Sequence, residues 1–401
     1  MDELTSQFER SLGEACVEAL PTAAGFAELL DGLQGADPLA ALAALRQIAA
    51  TDTRLGGRAR RLIEEATLLR LPELPSATPI VHPLDYHWRF SPATAEQLLD
   101  RAAELSGPGE TVLFLGTPSL YQLAAERLAG RRCILFDRDS RICEAIPKSP
   151  GAEARVVDLL ADQLPELAAS CAVGDPPWYP KAIAGFAEAA AMMLRSDATL
   201  LLGFPAQLTR PGVRAEHAGF IRSARRLGFD PLEHERLALR YETPPFEYAA
   251  MGAAGLPSPP HEWRRGDLLA LRLRRPITAR ARGGGIEEQW AAHQFEQIPI
   301  RVRPSAPAAG TELIAGLLEG DILPTVSRRT PLRCKAALWT SRNRIFASCD
   351  PPRLAQILAS LEADGPSVGE AEAQVADQLA ALVALERREH GLGAQVLAPA
   401  A

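Results

Sequence analysis

The sequence contains no apolar run that approaches the ~20 residues of a membrane-spanning helix, and this absence predicts a protein without membrane segments. Its start, Met-Asp-Glu, lacks the apolar stretch of a secretion signal. The six cysteines form no Cys-x-x-Cys pair, and neither they nor the seven histidines show the paired spacing of metal ligands. These absences predict a reduced, cytoplasmic protein with no metal site and no disulfide framework.

The composition is that of an ordinary folded protein. The chain has 401 residues, of which 47% are hydrophobic, and its formal net charge is -7. This length suggests two or three domains with ample material for a core. The charge excludes a basic nucleic-acid packing protein and an acidic disordered chain. Heavy use of Ala, Leu, Arg and Pro indicates a GC-rich coding bias, which is typical of bacteria.

The pattern changes twice along the chain and predicts three domains. They are a helical N-terminal domain at 1–75, an α/β domain at 76–280 and a basic α+β domain at 286–401, with a flexible boundary at 281–285. In the first domain, apolar residues recur at helical spacing in 26–30, 38–45 and 59–66. Asp37-Pro38 is typical of a helix start. The prolines between 72 and 92 exclude regular helix there.

The central region alternates apolar strand runs with helical stretches. The predicted strands are 111–115, 133–136, 155–157, 171–173 and 199–202, followed by a final pair at 236–240 and 267–272. The predicted helices are 120–129, 181–195 and 214–227. This alternation predicts the α/β class, with a doubly wound, seven-stranded sheet covered on both faces. The C-terminal domain is predicted to hold a strand at 297–303, a hairpin at 336–347 and a closing helix at 368–390.

The residues that follow the first predicted strand are candidates for a ligand site, because ligands of open α/β sheets bind beyond the carboxyl ends of the strands. Gly116, Thr117, Pro118 and Ser119 stand there. Gly116 permits a sharp turn and a close approach to a ligand. Ser119 is expected to cap the next helix, whose free N–H groups favour an anionic group. The alternative is an ordinary strand-to-helix turn.

Acidic residues follow the next two strands. Asp137 can accept both hydroxyls of a ribose. Asp158 can accept the exocyclic amine of an adenine ring, or it can cap a helix that begins at Leu159-Leu160 instead. Both positions are therefore predicted nucleoside contacts, with a solvated turn as the alternative at Asp137.

The strongest signal is the loop after the fourth strand, Gly174-Asp175-Pro176-Pro177-Trp178-Tyr179. Its two prolines fix the backbone and remove two N–H donors, which leaves the neighbouring carbonyls as acceptors. Together with Asp175, these acceptors can hold an amino group by both hydrogens, so that its lone pair faces an electrophile. The Trp178 ring can stack on a planar substrate or lie against an alkylamine. The alternative is a Pro-Pro loop with a packed tryptophan. A second Asp-Pro-Pro at 350–352 continues with Arg353 and is predicted to start a helix.

This order of strand ends resembles class I S-adenosylmethionine-dependent methyltransferases with a (D/N)PP(Y/F/W) motif. Four segments carry the resemblance: Trp88 to Ala95, the turn Pro118-Ser119-Leu120-Tyr121, the strand end Phe136-Asp137-Arg138-Asp139, and the Asp-Pro-Pro-Trp loop. They are similar to the N6-adenine methyltransferase family that includes the eukaryotic elongation factor 1A lysine methyltransferases. The resemblance covers roughly residues 86–275.

The resemblance implies a Rossmann-like methyltransferase sheet with S-adenosylmethionine as cofactor. It implies methyl transfer to an amino nitrogen, either adenine N6 in nucleic acid or a protein lysine. It places the methionine part of the cofactor at 116–119, the ribose at Asp137 and the adenine at Asp158. The predicted catalytic residues are Asp175, Pro176, Pro177 and Trp178, and the predicted substrate contacts are Phe90 and Tyr179. The usual G-x-G is absent, and both terminal regions lack a counterpart in the short family members. These departures leave the methyl acceptor open.

Two alternatives remain. The branched-chain polyamine synthases are similar in having an N-terminal helical domain and a DPP(Y)T loop, and they transfer an aminopropyl group from decarboxylated S-adenosylmethionine. Their cofactor loop is acidic because it binds a cationic tail, whereas Thr117-Pro118-Ser119 is neutral, which argues against that chemistry. The other alternative is a non-catalytic interaction protein that keeps the fold as a scaffold.

A basic region suggests where a macromolecular partner would bind. Residues 264–344 carry 15 Lys and Arg against seven Asp and Glu. Around the predicted hairpin, the basic residues Arg328, Arg329, Arg333, Lys335, Arg342 and Arg344 accompany Trp339 and Phe346. Basic residues interleaved with aromatics suit single-stranded nucleic acid. The alternative is a solvated surface over core aromatics. A nucleic-acid or protein substrate is therefore predicted at 264–344.

Overall fold

The computed structural model describes residues 3–68, 80–85, 87–146, 151–277, 289–327, 330–364 and 370–392. The chain divides into two compact units. Unit 1 comprises Met1–Glu65, Trp88–Thr243 and Pro260–Ile286, and unit 2 comprises Ala66–His87, Pro244–Pro259 and Glu287–Ala401. The N-terminal helical segment thus shares a compact unit with the central sheet. The three-domain division stays a prediction, and the boundary at 281–285 lies outside the described residues.

Unit 1 is built on one sheet. Its strands are β1 (Arg89–Phe90), β2 (Thr111–Leu115), β3 (Arg132–Asp137), β4 (Ala152–Val156), β5 (Ala169–Gly174), β6 (Leu194–Pro205), β7 (Phe229–Glu242) and β8 (Arg264–Leu273). They lie in the order β1-β7-β8-β6-β5-β2-β3-β4. Strands β2 to β6 pair in parallel, and β8 pairs antiparallel with both β6 and β7.

Both faces of this sheet are buried. In β2, Leu113 and Leu115 belong to one hydrophobic core, while Val112 and Phe114 belong to another. Successive side chains of a strand point to opposite faces, so the two cores lie on the two sides of the sheet. Burial of each such side chain contributes about 1.5–3 kcal/mol. The predicted doubly wound α/β class is confirmed, with the two-residue β1 as an additional edge strand.

Helices precede and separate these strands. They are α1 (Glu3–Ala19), α2 (Phe26–Gly32), α3 (Pro38–Thr51), α4 (Gly56–Thr67), α5 (Pro92–Glu104), α6 (Pro118–Arg127), α7 (Ser140–Ala145), α8 (Pro180–Met193) and α9 (Val213–Arg226). The predicted start of α3 is confirmed, because the Asp37 carboxylate accepts from the N–H groups of Leu39 (2.8 Å) and Ala40 (3.3 Å). None of the helices in the described ranges is long and apolar enough to cross a bilayer.

The strand predicted at 155–157 begins earlier in the structure, where it is β4 and spans Ala152–Val156. Gly151 precedes it with φ +79°, a conformation that glycine adopts without strain and that turns the chain into the strand. The strand lies at the edge of the sheet, and most of its side chains are only partly buried. A partly exposed edge strand needs no continuous apolar run, so its pattern is weak.

Unit 2 has its own sheet. Its elements are α10 (Pro245–Ala253), β9 (Ala291–Phe295), β10 (Ile298–Val302), β11 (Ala315–Gly316), β12 (Leu338–Thr340), β13 (Ile345–Ala347), α11 (Pro351–Asp364) and α12 (Glu370–Glu389), with short 3-10 turns at Pro83–Asp85 and Pro331–Lys335. The antiparallel strand order is β11-β13-β12-β10-β9.

The hairpin of β12 and β13 confirms its prediction. Asn343 adopts φ +66° in the turn, a conformation that asparagine tolerates. Its side chain accepts from the Trp339 indole N–H (3.0 Å) and donates to the Leu323 carbonyl (2.6 Å). The turn is therefore tied to the core of unit 2.

Candidate active site

The predicted site positions lie along one edge of the large sheet. Three backbone hydrogen bonds join consecutive strand ends: Asp175 N–H to Leu115 O (3.3 Å), Gly116 N–H to Phe136 O (2.9 Å), and Val157 N–H to Asp137 O (2.8 Å). The loops after β5, β2, β3 and β4 are therefore neighbours in that order. A crevice beyond this edge is where ligands bind in doubly wound sheets.

The loop after β2 combines a tight turn with a helix N-terminus. Gly116 has φ +64°, and a Cβ there would lie 3.1 Å from the Phe186 ring, so a side chain is disfavoured on both counts. Thr117 is 3% exposed, and no hydrogen bond to its hydroxyl is found among the described residues. A buried hydroxyl that makes no hydrogen bond destabilises the folded protein unless a bound ligand forms a hydrogen bond with it.

The helix cap in this loop corrects one prediction. Helix α6 begins at Pro118, so Thr117 occupies the cap position and Ser119 lies inside the first turn. Proline suits the first helical position because its fixed φ matches the helix and its missing N–H is not needed there. The Thr117 side chain makes no capping hydrogen bond. The first N–H groups of α6 are thus not capped by the side chain at this position.

The two predicted nucleoside contacts differ in their surroundings. Asp137 is 4% exposed at the end of β3, and one carboxylate oxygen accepts from the Asp139 N–H (2.9 Å). Asp158 follows β4, and its carboxylate accepts from the Leu160 N–H (2.8 Å). This second bond is the local cap that was the alternative interpretation of Asp158, although residues 159–160 form a turn and the predicted helix is not found there. The ribose role of Asp137 and the adenine role of Asp158 both remain predictions.

Asp175 is set in a low-polarity environment next to a phenol. The Tyr241 hydroxyl donates to its Oδ1 (2.9 Å). Burial raises the pKa of Asp175 to about 7, although the Tyr241 hydrogen bond and the charge of Arg264 oppose the increase. A Cβ on Gly203 would collide with the Asp175 carboxylate, so glycine at 203 leaves room for it. The carboxyl group therefore changes its charge near neutral pH.

The Trp178 ring is enclosed by the protein. The Arg264 guanidinium carbon lies 4.0 Å from the Trp178 ring centroid, 4.2 Å from that of Trp88 and 6.0 Å from that of Tyr241. We call these three rings the aromatic cage. A Cβ on Gly266 would lie 2.9 Å from Trp178, so the backbone also approaches the ring closely. The ring face predicted to stack on a substrate thus contacts Arg264.

The backbone of the same loop is held by Arg210. Its guanidinium donates to the Trp178 carbonyl (2.6 Å) and pairs with both carboxylate oxygens of Glu216 (2.6 Å each). A bidentate ion pair holds the guanidinium in one orientation. Arg210 therefore positions the Trp178 carbonyl.

The two predicted substrate contacts lie in or beside this aromatic region. Phe90 is 7% exposed, and its ring centroid lies 5.0 Å from that of Tyr241. Tyr179 is partly buried, and its N–H donates to the Pro177 carbonyl (2.6 Å), which tightens the turn before α8. Their contact with a substrate remains a prediction.

Sequence reasoning missed Tyr241 and Arg264, which lie opposite each other at the ends of β7 and β8. Because β8 runs antiparallel, its first residue reaches the same edge as the carboxyl ends of the parallel strands. The strands predicted at 236–240 and 267–272 already indicated that a final pair of strands ends near these two residues. Extending both strands to the shared edge would have placed the two residues at the site.

The prediction that the unit 2 hairpin presents an aromatic and basic surface is wrong. Trp339 is fully buried and Phe346 is 7% exposed, so both belong to the core. Arg344 is 6% exposed and pairs with Glu386 (2.8 Å) and Glu389 (2.7 Å). Buried rings and paired cations do not present a surface to a nucleic acid.

The other basic residues near this hairpin are divided. Arg333 is 1% exposed, with its guanidinium 5.1 Å from the Trp339 ring centroid, and Arg342 bonds to Glu389 (3.3 Å). Lys335 is exposed, and Arg328 and Arg329 lie outside the described residues. The interpretation of core aromatics therefore describes the hairpin better.

Comparisons with known proteins identify the fold. No family model matches the sequence, and no curated protein matches it. Among solved structures, the branched-chain polyamine synthase from Thermus thermophilus, in complex with N4-aminopropylspermidine and 5'-methylthioadenosine, is 20% identical with a TM-score of 0.52. The match covers 71% of this chain and 95% of that chain. The C9 mutein of that synthase gives 19% identity, a TM-score of 0.52 and coverage of 72% and 96%.

A TehB-like S-adenosylmethionine-dependent methyltransferase from Corynebacterium glutamicum also matches, at 15% identity and a TM-score of 0.30, over 46% of this chain and all of that chain. The similarity to the polyamine synthase confirms the predicted doubly wound, Rossmann-like fold, and at 19% and 20% identity it establishes the fold alone.

Proposed function

We propose that unit 1 is an S-adenosylmethionine-dependent N-methyltransferase that acts on an amino nitrogen. The observation that carries this proposal is the loop after β2. It places the buried Thr117 hydroxyl, which lacks a partner among the described residues, at the N-terminus of α6, with no acidic side chain at 116–119. A helix N-terminus with a hydroxyl donor favours a carboxylate. S-adenosylmethionine carries a carboxylate at the end of its methionine part.

The rest of the edge fits the same cofactor. Asp137 stands at the end of the strand next to β2, where an acidic side chain can accept ribose hydroxyls. Asp158 stands one strand further and would approach the adenine. Gly116 leaves the backbone open to close approach. When bound there, S-adenosylmethionine would supply an electrophilic methyl group.

Asp175 would orient the acceptor. Its carboxylate and the Pro176 carbonyl hold the amino group by its hydrogens, so that the lone pair points at the methyl carbon. As the nitrogen formed its bond to the methyl carbon, the carbon–sulfur bond of the donor would break and S-adenosylhomocysteine would leave as a neutral thioether. The nitrogen would gain positive charge, which an ionised Asp175 would stabilise, and Asp175 would then accept the proton that the nitrogen loses. A pKa of about 7 suits this proton transfer at neutral pH.

Aminopropyl transfer is the second candidate, because the fold similarity spans almost the whole polyamine synthase chain. Its donor would lack the carboxylate and would bring a cationic amine to the loop after β2. Residues 116–119 provide no negative side chain for that amine. The neutral loop therefore favours S-adenosylmethionine over its decarboxylated form.

Titration calorimetry on the full chain tests the proposal. We expect S-adenosylmethionine to bind and the decarboxylated form to bind at least about tenfold more weakly. Thr117→Val should weaken S-adenosylmethionine binding about tenfold, because the donor hydroxyl is lost. Thr209→Val is the matched control, since its buried hydroxyl also has no hydrogen-bond partner in the described part of the chain but lies outside the loop after β2. Tighter binding of the decarboxylated form would favour aminopropyl transfer instead.

A second assay addresses the acceptor, which is either an adenine N6 or a lysine side chain. Transfer of a tritiated methyl group to cell lysate is measured after nuclease or protease treatment. Loss of label after nuclease identifies a nucleic acid, and loss after protease identifies a protein.

A further inference from the structure

The aromatic cage has the composition of a site for a cation. Two indole rings and a phenol surround one position, and such rings attract positive charge through their faces. Here the position is taken by a side chain of the protein itself, because the Arg264 guanidinium lies about equally close to the Trp88 and Trp178 rings. The cage is thus already filled by a cation.

The position of Arg264 is set by the sheet. Arg264 is the first residue of β8 and pairs in register with Tyr241, the residue that donates to Asp175. The backbone thus places the guanidinium beside the carboxyl group that would hold the acceptor. Its charge acts on Asp175, where it opposes the larger effect of burial.

A charged acceptor would meet two costs at this place. A lysine side chain or a polyamine arrives as an ammonium and would be repelled by Arg264 at short range. It would also find the aromatic faces, which would otherwise attract its charge, already occupied. The exocyclic amine of a nucleobase arrives without charge and avoids the repulsion, although the Trp178 face that Arg264 covers is closed to its ring as well.

We infer that Arg264 selects the acceptor: by filling the aromatic cage it excludes alkylammonium groups, and the target is the neutral exocyclic amine of a nucleobase. This inference rests on the proposed function and specifies its acceptor class. Arg264 is a specificity residue and takes no part in bond formation.

Binding measurements test the inference without requiring turnover. The full chain is saturated with S-adenosylhomocysteine, and adenosine 5'-monophosphate and spermidine are titrated separately, with tryptophan fluorescence as the readout. We expect the wild-type chain to bind the nucleotide at least about tenfold more tightly than spermidine. Arg264→Met should gain affinity for spermidine about tenfold. Arg264→Lys keeps the charge and should continue to exclude spermidine.

The outcomes separate the two proposals. Binding of S-adenosylmethionine is measured first, and its absence would overturn the proposed function together with this inference. If the cofactor binds but wild-type protein takes spermidine as tightly as the nucleotide, only the inference fails. The wild-type comparison decides the matter even if Arg264→Met does not fold.

Discussion

Asp-Pro-Pro occurs twice in this chain, and the two copies have different structures. At 350–352 the prolines begin α11, and Asp350 accepts from the Arg353 N–H (3.1 Å) as a helix cap. At 175–177 the next helix begins only at Pro180, and Asp175 accepts from the Tyr241 hydroxyl. The role of the tripeptide is therefore decided by the residues that follow it and by the element that faces it.

The largest expected difference between the copies is in transfer activity. Asp175→Ala should lower kcat by about 10²–10³-fold, since it removes the group proposed to stabilise charge on nitrogen. Cofactor binding should persist, because Asp175 is not assigned a cofactor contact. Single-turnover transfer and calorimetry measure the two properties. Asp350→Ala is the control with unchanged turnover, and wild-type turnover in Asp175→Ala would refute the assignment.

The next effect is on stability against pH. The pKa of Asp175 is raised in the folded chain, so the folded state holds its proton longer than the unfolded state does. The contribution of Asp175 to the free energy of unfolding is therefore complete below the ordinary carboxyl pKa, and it is lost as pH rises through about 7. Asp175→Asn should gain on the order of 2 kcal/mol relative to wild type between pH 5 and pH 8. Urea unfolding at both pH values measures the difference, and a pH-independent difference would contradict it.

A smaller effect concerns Tyr241. Its hydrogen bond lowers the pKa of Asp175, so Tyr241→Phe should move the midpoint of the pH–rate profile upwards. On the proposed mechanism, turnover should rise with pH as Asp175 ionises, and at pH 7 the variant should be about tenfold slower. Equal midpoints in the two profiles would show that Tyr241 does not act through Asp175.

The smallest effect belongs to the second copy. Asp350→Ala should cost about 1 kcal/mol of unfolding free energy, which is typical of a lost helix cap. Asp350→Asn should retain most of it, because asparagine caps equally well. Thermal unfolding of both variants checks this, and an equal loss in both would argue against a capping role.

The strands and their loops were predictable because their signals are local. Leu113 and Phe114 lie in an apolar run that indicates a buried strand, and Gly116 and Asp175 stand directly after such runs. Parallel strands then bring these loops to one edge without further information. The α/β fold and the position of the candidate site follow from this pattern.

The contacts of Tyr241 and Arg264 at the candidate site were less predictable, because both residues contact side chains that are distant in the sequence. Tyr241 is 66 residues from Asp175, and neither its hydrogen bond nor the stacking of Arg264 on Trp88 leaves a local pattern. The hairpin arginines were misinterpreted for the same reason. Arg344 is neutralised by Glu386 and Glu389, which lie more than 40 residues later in the chain.

Gly203 gives the site an unexpected vulnerability. Alanine in place of Gly203 would displace the Asp175 carboxylate and leave the Asp-Pro-Pro-Trp motif unchanged. The proposed activity would therefore be lost through one substitution 28 positions further along, with the motif intact. Catalysis inferred from the Asp-Pro-Pro-Trp sequence alone would miss this requirement for glycine at 203.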